Sequence, residues 1–172
     1  KYVFAMGRFV PEKNFHNLIH AFVAIEQTDY KLVLAGDTDF EDEYSQGLKA
    51  LAQKNGVILT GFIKGKNLHE LLTHARCFVL PSSHEGLPIA LLEAMSYNCP
   101  ILASDIPANK EIGLPDECYF RSGDFSNLLH TLKEKIEISQ SKRITYDLSS
   151  YSWRHIAQQT KEIYDSLIVK TI

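Results

Sequence analysis

Two carboxylates, Glu85 and Glu93, bracket the stretch His84-Glu-Gly-Leu-Pro-Ile-Ala-Leu-Leu-Glu-Ala-Met95, in which a polar loop turns into a helix. Before it, Cys77-Phe-Val-Leu-Pro81 reads as a buried strand and Ser82-Ser83-His84 as the loop, with Pro88 in the first helical turn. Free amides at a helix start attract phosphate, whereas carboxylates repel it unless they face hydroxyl-bearing parts of the same ligand. A rise of ~1.5 Å per residue carries Glu93 roughly 7 Å past the helix mouth while Glu85 stays in the loop, so the two acids cannot share one proton. Ionised carboxylates accept from vicinal hydroxyls, and this pair could read two polyols on either side of a diphosphate. The chemistry implied is recognition of a sugar nucleotide. A plainer description also fits the segment: one acid near a helix N-terminus and one exposed mid-helix glutamate.

A second charged group follows the first strand, in Gly7-Arg8-Phe9-Val10-Pro11-Glu12-Lys13. Arg8 offers a planar fork and Lys13 a point charge, and together they could grip a diphosphate from two sides. Hydrogen bonds to charged groups contribute roughly 1.5–3 kcal/mol each, and neutralising a departing diphosphate is electrostatic transition-state stabilisation. By themselves the two cations are better described as a solvated surface pair.

The elements that must position these residues form a βα repetition. Apolar runs at 2–6, 31–35, 57–60, 77–80, 101–104 and 118–120 alternate with amphipathic stretches at 15–25, 41–54, 68–76, 88–97 and 125–138, and a short turn spans 109–112. Strands apolar on both faces and separated by helices predict an α/β, Rossmann-like, doubly wound parallel sheet in three αβα layers. Ligands of such sheets lie beyond the carboxyl ends of the strands, and Arg8, Lys13, Gly61 and Glu85 all fall just after strands, so one cleft could collect them. Asn14 is the expected cap of the first helix, and Gly56 and Asn98 are the expected left-handed residues closing two others. Residues 139–150, polar and aperiodic, read as a mobile connection to a last helix, 153–168. Its apolar band contains Trp153, Ile156, Ala157, Ile163, Tyr164 and Leu167.

With 172 residues, 45% of them apolar, the chain is sized for one domain with a substantial core. A formal net charge of −3 offers no basic field for nucleic acid, so an anion must be bound locally. Cys77, Cys99 and Cys118 stand in apolar contexts without metal-ligand spacing and are read as buried thiols of a cytoplasmic, reducing environment. No apolar run approaches the ~20 residues that span a bilayer. Lys1 stands directly ahead of a strand, and the expectation is an excised domain.

Taken together and in order, Gly7-Arg8…Lys13-Asn14 and the two glutamates with seven intervening residues resemble glycosyltransferase family 4, specifically the carboxyl-terminal, donor-binding half of its GT-B fold. The similarity runs from Tyr2 to the region of Trp153, nearly the whole chain. The resemblance implies that Arg8 and Lys13 hold the donor diphosphate, with amides of Ile89 and Ala90 adding contacts from the helix start. It implies that Glu85 accepts from hydroxyls of the transferred sugar and Glu93 from the ribose. Amides of Gly86 and Leu87 approach the sugar ring, while Gly61, Phe62 and Ile63 line the base pocket through backbone groups. The implied reaction is transfer of a hexose-type unit from a nucleoside diphosphate sugar, with retention of configuration and without a metal or other cofactor, to a saccharide or lipid-linked acceptor. Residues 1–172 would be the donor-binding domain. The acceptor site would belong to an amino-terminal half absent from this chain, whose isolated donor domain would be inactive. Peripheral association of the full-length enzyme with the cytosolic face of a membrane is a further expectation of the resemblance.

The chain departs from the family pattern at Asn14 and Asn98, where glycine is frequent, and at Pro88, which has no amide hydrogen to offer a sugar. His16 and His20 have chelating spacing without a third ligand in the sequence, His84 reads as an exposed loop residue, and Asp105 and Glu111 fall on the expected cleft side but are described at least as well as helix caps. Phe9, Phe62 and Tyr97 are expected to pack. A glycoside hydrolase would need its two carboxyls to converge at ~5–9.5 Å across one bond. A receiver-like signalling domain would need acids where Gly7-Arg8 and Gly61-Phe62 stand. A non-catalytic, regulatory nucleotide-sugar-binding domain is the alternative function.

Overall fold

The computed structural model describes residues 1–26, 29–137 and 144–168. Six strands, β1 (Tyr2–Met6), β2 (Lys31–Ala35), β3 (Ile58–Leu59), β4 (Cys77–Leu80), β5 (Ile101–Ser104) and β6 (Tyr119–Phe120), form one sheet in the order β3-β2-β1-β4-β5-β6. Every pairing is parallel; in the centre Phe4 lies between Val33 and Phe78. The helices are α1 (Phe15–Val23), α2 (Glu43–Lys54), α3 (Gly65–His74), α4 (Ile89–Ser96), α5 (Pro107–Lys110), α6 (Phe125–Glu137) and α7 (Trp153–Ile168).

The period of two along each strand divides the core. Val3, Ala5, Leu32 and Leu34 pack with Leu18, Leu48 and Leu132 from α1, α2 and α6. Phe4, Val33, Phe78 and Leu80 point the other way, onto Leu72 of α3 and Leu91 and Met95 of α4. Burying both faces requires the near-continuous apolar strands that the sequence shows, and the result is the expected doubly wound, three-layer α/β sheet. Winding reverses between β1 and β4, which leaves a crevice outside their carboxyl ends. All three cysteines are buried and none forms a disulfide among the described residues, and burial pushes the Cys77 thiol upward.

Several local expectations need correction. Asn14 occupies the N-cap of α1 with φ 56°, but its side chain accepts from Asn17 Nδ2 at 2.7 Å instead of capping an amide. The turn expected at 109–112 is α5, begun by Pro107. The expected mobile connection is packed over its described part: Ile144, Tyr146 and Leu148 lie against the α3–α4 side of the core, and the Tyr146 hydroxyl donates to the Cys99 carbonyl at 3.1 Å. Residues 139–143 of that stretch lie outside the described residues. Asn98 is left-handed, φ 52°, as expected. In α7 the apolar band is exposed, Trp153 at 84%. Among the described residues no helix is long and apolar enough to cross a membrane.

The ends of β1, β2 and β3 are drawn together by glycine backbone. Gly36 donates to the Gly61 carbonyl at 2.8 Å, and a Cβ at Gly36, whose φ is 126°, would lie 1.9 Å from the Gly7 carbonyl oxygen. Gly61, with φ 66°, has open space around it. Gly36→Ala is therefore expected to cost roughly 3 kcal/mol, by forcing two strand ends apart, and Gly61→Ala only about 1 kcal/mol, the strain of a left-handed alanine. Urea unfolding of both variants checks this; similar small losses would remove the close approach as a constraint.

Candidate functional site

The pinched strand ends floor a cleft of about 280 Å³, lined by Met6, Gly7, Arg8, Ala35, Gly36, Phe62, Ile63, Leu68, Ala90 and Glu93. Its floor is largely backbone and small side chains, because Gly7 and Gly36 leave room there. Arg8, from the loop after β1, and Glu93, in α4, bring opposite charges to the same opening although 84 positions separate them in the chain. No carboxylate or carbonyl among the described residues accepts from the exposed Arg8 guanidinium, which leaves its fork open to an anion.

Lys13 and Glu85 meet beside this cleft. Lys13 Nζ donates to Glu85 Oε1 at 2.6 Å, with side chains only 17% and 9% exposed. Lys13 ends a 3-10 turn, Pro11–Lys13, whose exit is turned by left-handed Asn14. Its methylene chain passes 3.6 Å from where a Gly7 side chain would begin, so the pair abuts the cleft floor. The Ser83 amide donates to the Glu12 carbonyl at 2.8 Å and so ties the β4–α4 loop to the β1–α1 loop. Arg8, Lys13, Glu85 and Glu93 are thereby gathered beyond the carboxyl ends of the central strands β1 and β4.

The helix start differs from its sequence reading. Pro88 is the N-cap of α4, and its φ of −77° and ψ of 73° close an inverse γ-turn in which the Ile89 amide donates to the Leu87 carbonyl at 2.8 Å. Ile89 therefore has no amide free for a ligand, contrary to expectation. The Ala90 amide has no acceptor among the described residues, and Ala90 lines the cleft. Gly86 and Leu87 are exposed in the loop ahead of the turn, outside the cleft lining.

Ile63 and Phe62 do line the cleft, and Phe62, expected to pack, is 61% exposed at its rim. Phe9 is buried edge-on against Phe15, and the Tyr97 ring lies 5.2 Å from that of His69. His84 is exposed. His16 Nδ1 shares a 3.1 Å hydrogen bond with the Tyr44 hydroxyl, and burial, with the nearby His20, lowers its pKa. Among the described residues no three His, Cys, Asp or Glu side chains gather to hold a metal. Asp105 is not a helix cap: it accepts from the Ser122 amide at 2.7 Å. Glu111 stands exposed at the C-terminal end of α5.

Three wholly buried polar residues next to Glu85 escaped the sequence reading: Ser82, Ser104 and Asn109. Ser82 Oγ donates to Glu85 Oε1 at 2.6 Å, and Ser104 Oγ donates to the Ser82 carbonyl at 2.5 Å. Asn109 Nδ2 donates to the Ser104 carbonyl at 2.9 Å and to Ser104 Oγ at 3.1 Å. The three-residue spacing of Ser82 and Glu85 was a usable signal. Ser104 and Asn109 carried none, since their contact with the loop exists only once β5 pairs with β4.

The sequence model of the family described as "Glycosyl transferases group 1" matches residues 1–126. O-antigen chain mannosyltransferase B of Escherichia coli is 27% identical over 96% of this chain and 46% of its own length. The catalytic domain of cholesterol-alpha-glucosyltransferase from Helicobacter pylori is 28% identical and superposes with a TM-score of 0.67 over 79% of this chain and 86% of that one. Anabaena Alr3699/HepE, solved in complex with UDP and glucose, shares the fold at 21% identity, with a TM-score of 0.79 over 96% of this chain and 48% of that one. The chain spans about half the length of the curated relatives it matches. With a family match over most of its residues and the sheet of the GT-B glycosyltransferases, this chain belongs to the group 1 glycosyl transferases.

Proposed function

We propose that this chain is the donor-binding, carboxyl-terminal domain of a retaining glycosyltransferase of family 4, acting on a nucleoside diphosphate sugar. The observation that carries the reading is the gathering of Arg8 and Glu93 in one cleft beside the Lys13–Glu85 pair. A ligand polyanionic in its middle and hydroxylated at both ends matches that charge pattern. Glu93 takes the ribose hydroxyls, Phe62 and Ile63 flank the base, Arg8 and the Ala90 amide take the diphosphate, and Glu85 takes the sugar, whose ring passes Gly86 and Leu87. Lys13 serves two groups at once. An ammonium has three donors, so one bond to Glu85 leaves two for phosphate oxygen.

In the transfer step the bond from the anomeric carbon to the leaving phosphate oxygen breaks, and the acceptor oxygen bonds to the same face. The acceptor's proton passes to the leaving phosphate. Arg8 and Lys13 lower the barrier by holding the charge that builds on the diphosphate. This chemistry needs no metal. A hexose-type sugar, a saccharide or lipid-linked acceptor bound by an amino-terminal domain, and action at the cytosolic face of a membrane complete the proposal. The dependence of the acceptor site on another domain makes this chain alone a binder of donor rather than a catalyst.

A thermal-shift panel of UDP, GDP and ADP sugars tests the reading, since a ligand bound only by the folded chain raises its Tm; no shift from any of them would sink it. Arg8→Ala is expected to weaken nucleoside diphosphate binding about tenfold or more and to flatten its salt dependence; unchanged affinity at every ionic strength removes Arg8 from the phosphate site. Calorimetry on the two glutamate variants tests the division of the ligand. Glu93→Ala should weaken the bare diphosphate and its sugar alike, while Glu85→Ala should spare the former and weaken only the latter. Equal losses in both variants would contradict that division.

A further inference from the structure

Glu85 is held by Lys13 and, from behind, by polar side chains that do not line the cleft. Its Oε1 receives two donors, Lys13 Nζ and Ser82 Oγ, each at 2.6 Å, while Oε2 accepts from none of the described residues. The Ser82 hydroxyl has one hydrogen, spent on Glu85, so its direction depends on where the Ser82 backbone stands. That backbone is fixed by Ser104, whose hydroxyl donates to the Ser82 carbonyl at 2.5 Å across the β4–β5 end of the sheet. Ser104 is fixed in turn by Asn109, which donates to its carbonyl and hydroxyl.

The orientation of the Asn109 amide is not free. A backbone carbonyl can only accept, so the nitrogen must face Ser104, and Oδ1 is left buried without a donor among the described residues. The two bonds from Nδ2 hold Ser104 in place, and their geometry fixes which way the amide faces. Asn109 is itself anchored: its carbonyl accepts from the Tyr119 hydroxyl at 2.9 Å, and that hydroxyl accepts from the Leu114 amide at 3.1 Å. A wholly buried amide that heads a one-way series of donors ending on a site carboxylate is placed to set the position of that carboxylate.

We propose that Ser82, Ser104 and Asn109 are positioning residues which saturate and fix Glu85 Oε1 so that Oε2 alone is presented to the donor sugar. The proposal rests on the donor reading above, and it makes discrimination between a nucleotide sugar and the bare nucleotide depend on side chains buried behind the site.

A double-mutant cycle in this chain tests it, read by calorimetry with whichever pair, UDP and UDP-glucose or GDP and GDP-mannose, is bound more tightly. Ser104→Ala, which only removes a buried oxygen, is expected to weaken the sugar nucleotide about fivefold and leave the bare nucleotide within about twofold. In a Glu85→Ala background the same substitution is expected to cost nothing further. Asn109→Leu should lose discrimination while keeping its affinity for the bare nucleotide. The proposal is overturned if Ser104→Ala has no effect, weakens both ligands equally, or keeps its full effect without Glu85. It is also overturned if Asn109→Leu lowers Tm and both affinities together. If instead Glu85→Ala binds both ligands like the natural chain, the donor reading itself fails and takes the positioning role with it.

Discussion

The ion pair between Lys13 and Glu85 is the contact on which the site's geometry depends, because it joins two loops that the chain separates by some seventy residues. Its worth is not mainly thermodynamic. At 17% and 9% side-chain exposure the Coulomb gain is set against desolvation of both ions, and pairs of this kind contribute little net stability. What it supplies is register. Lys13 is fixed by a tight turn and by the glycine floor beneath its stem, and Glu85 by two donors on one oxygen, so the contact survives only if both loops stand where they do. The Ser83–Glu12 bond between the same loops makes the constraint two-point, which resists rotation as well as separation.

The floor under that pair has a different origin. Parallel strands end level with one another, and side chains at their ends would normally fill the space above the sheet. Here Gly7 and Gly36 occupy the ends of β1 and β2, and the backbones close to a distance that a single methyl group would abolish. A cleft of about 280 Å³ opens because side chains are missing from its base, not because helices stand apart. It falls just below the ~300–1,000 Å³ common for ligand pockets, as a groove that a second surface would deepen.

Much of this was legible in the sequence, and the reason is periodicity. Four-residue runs such as 32–35 and 77–80, apolar throughout and bounded by polar residues, mark strands buried on both faces and so a sheet covered on both sides. The four charged residues were legible by type and by position after strands. What could not be read was their pairing. Whether Lys13 faces a ligand or Glu85 is decided by the distance between two loops, and nothing local encodes it. The fate of the Ile89 amide is not legible, because a proline at the start of a helix can stand in its first turn or just ahead of it; as N-cap, Pro88 closes a γ-turn and consumes its neighbour's donor. The segment at 144–150 misleads for another reason: its composition is polar, but every second residue, Ile144, Tyr146 and Leu148, meets the core.

These corrections shift the balance of forces at the anion site. A helix mouth with several free amides would hold phosphate largely through its backbone, and side-chain changes would then be tolerated. In α4 proline removes one donor and the γ-turn another, leaving the Ala90 amide facing the cleft. The burden passes to Arg8 and Lys13, and so to side chains with rotamer freedom that must be restrained by their surroundings. Lys13 is restrained by Glu85 and the Gly7 backbone; Arg8 is exposed and unrestrained. An anion bound here would gain its orientation from the lysine and much of its attraction from the arginine. On the proposed donor reading the rigid half would lie next to the reacting end of the ligand, where misplacement is most costly to chemistry, and the adaptable half toward the nucleoside.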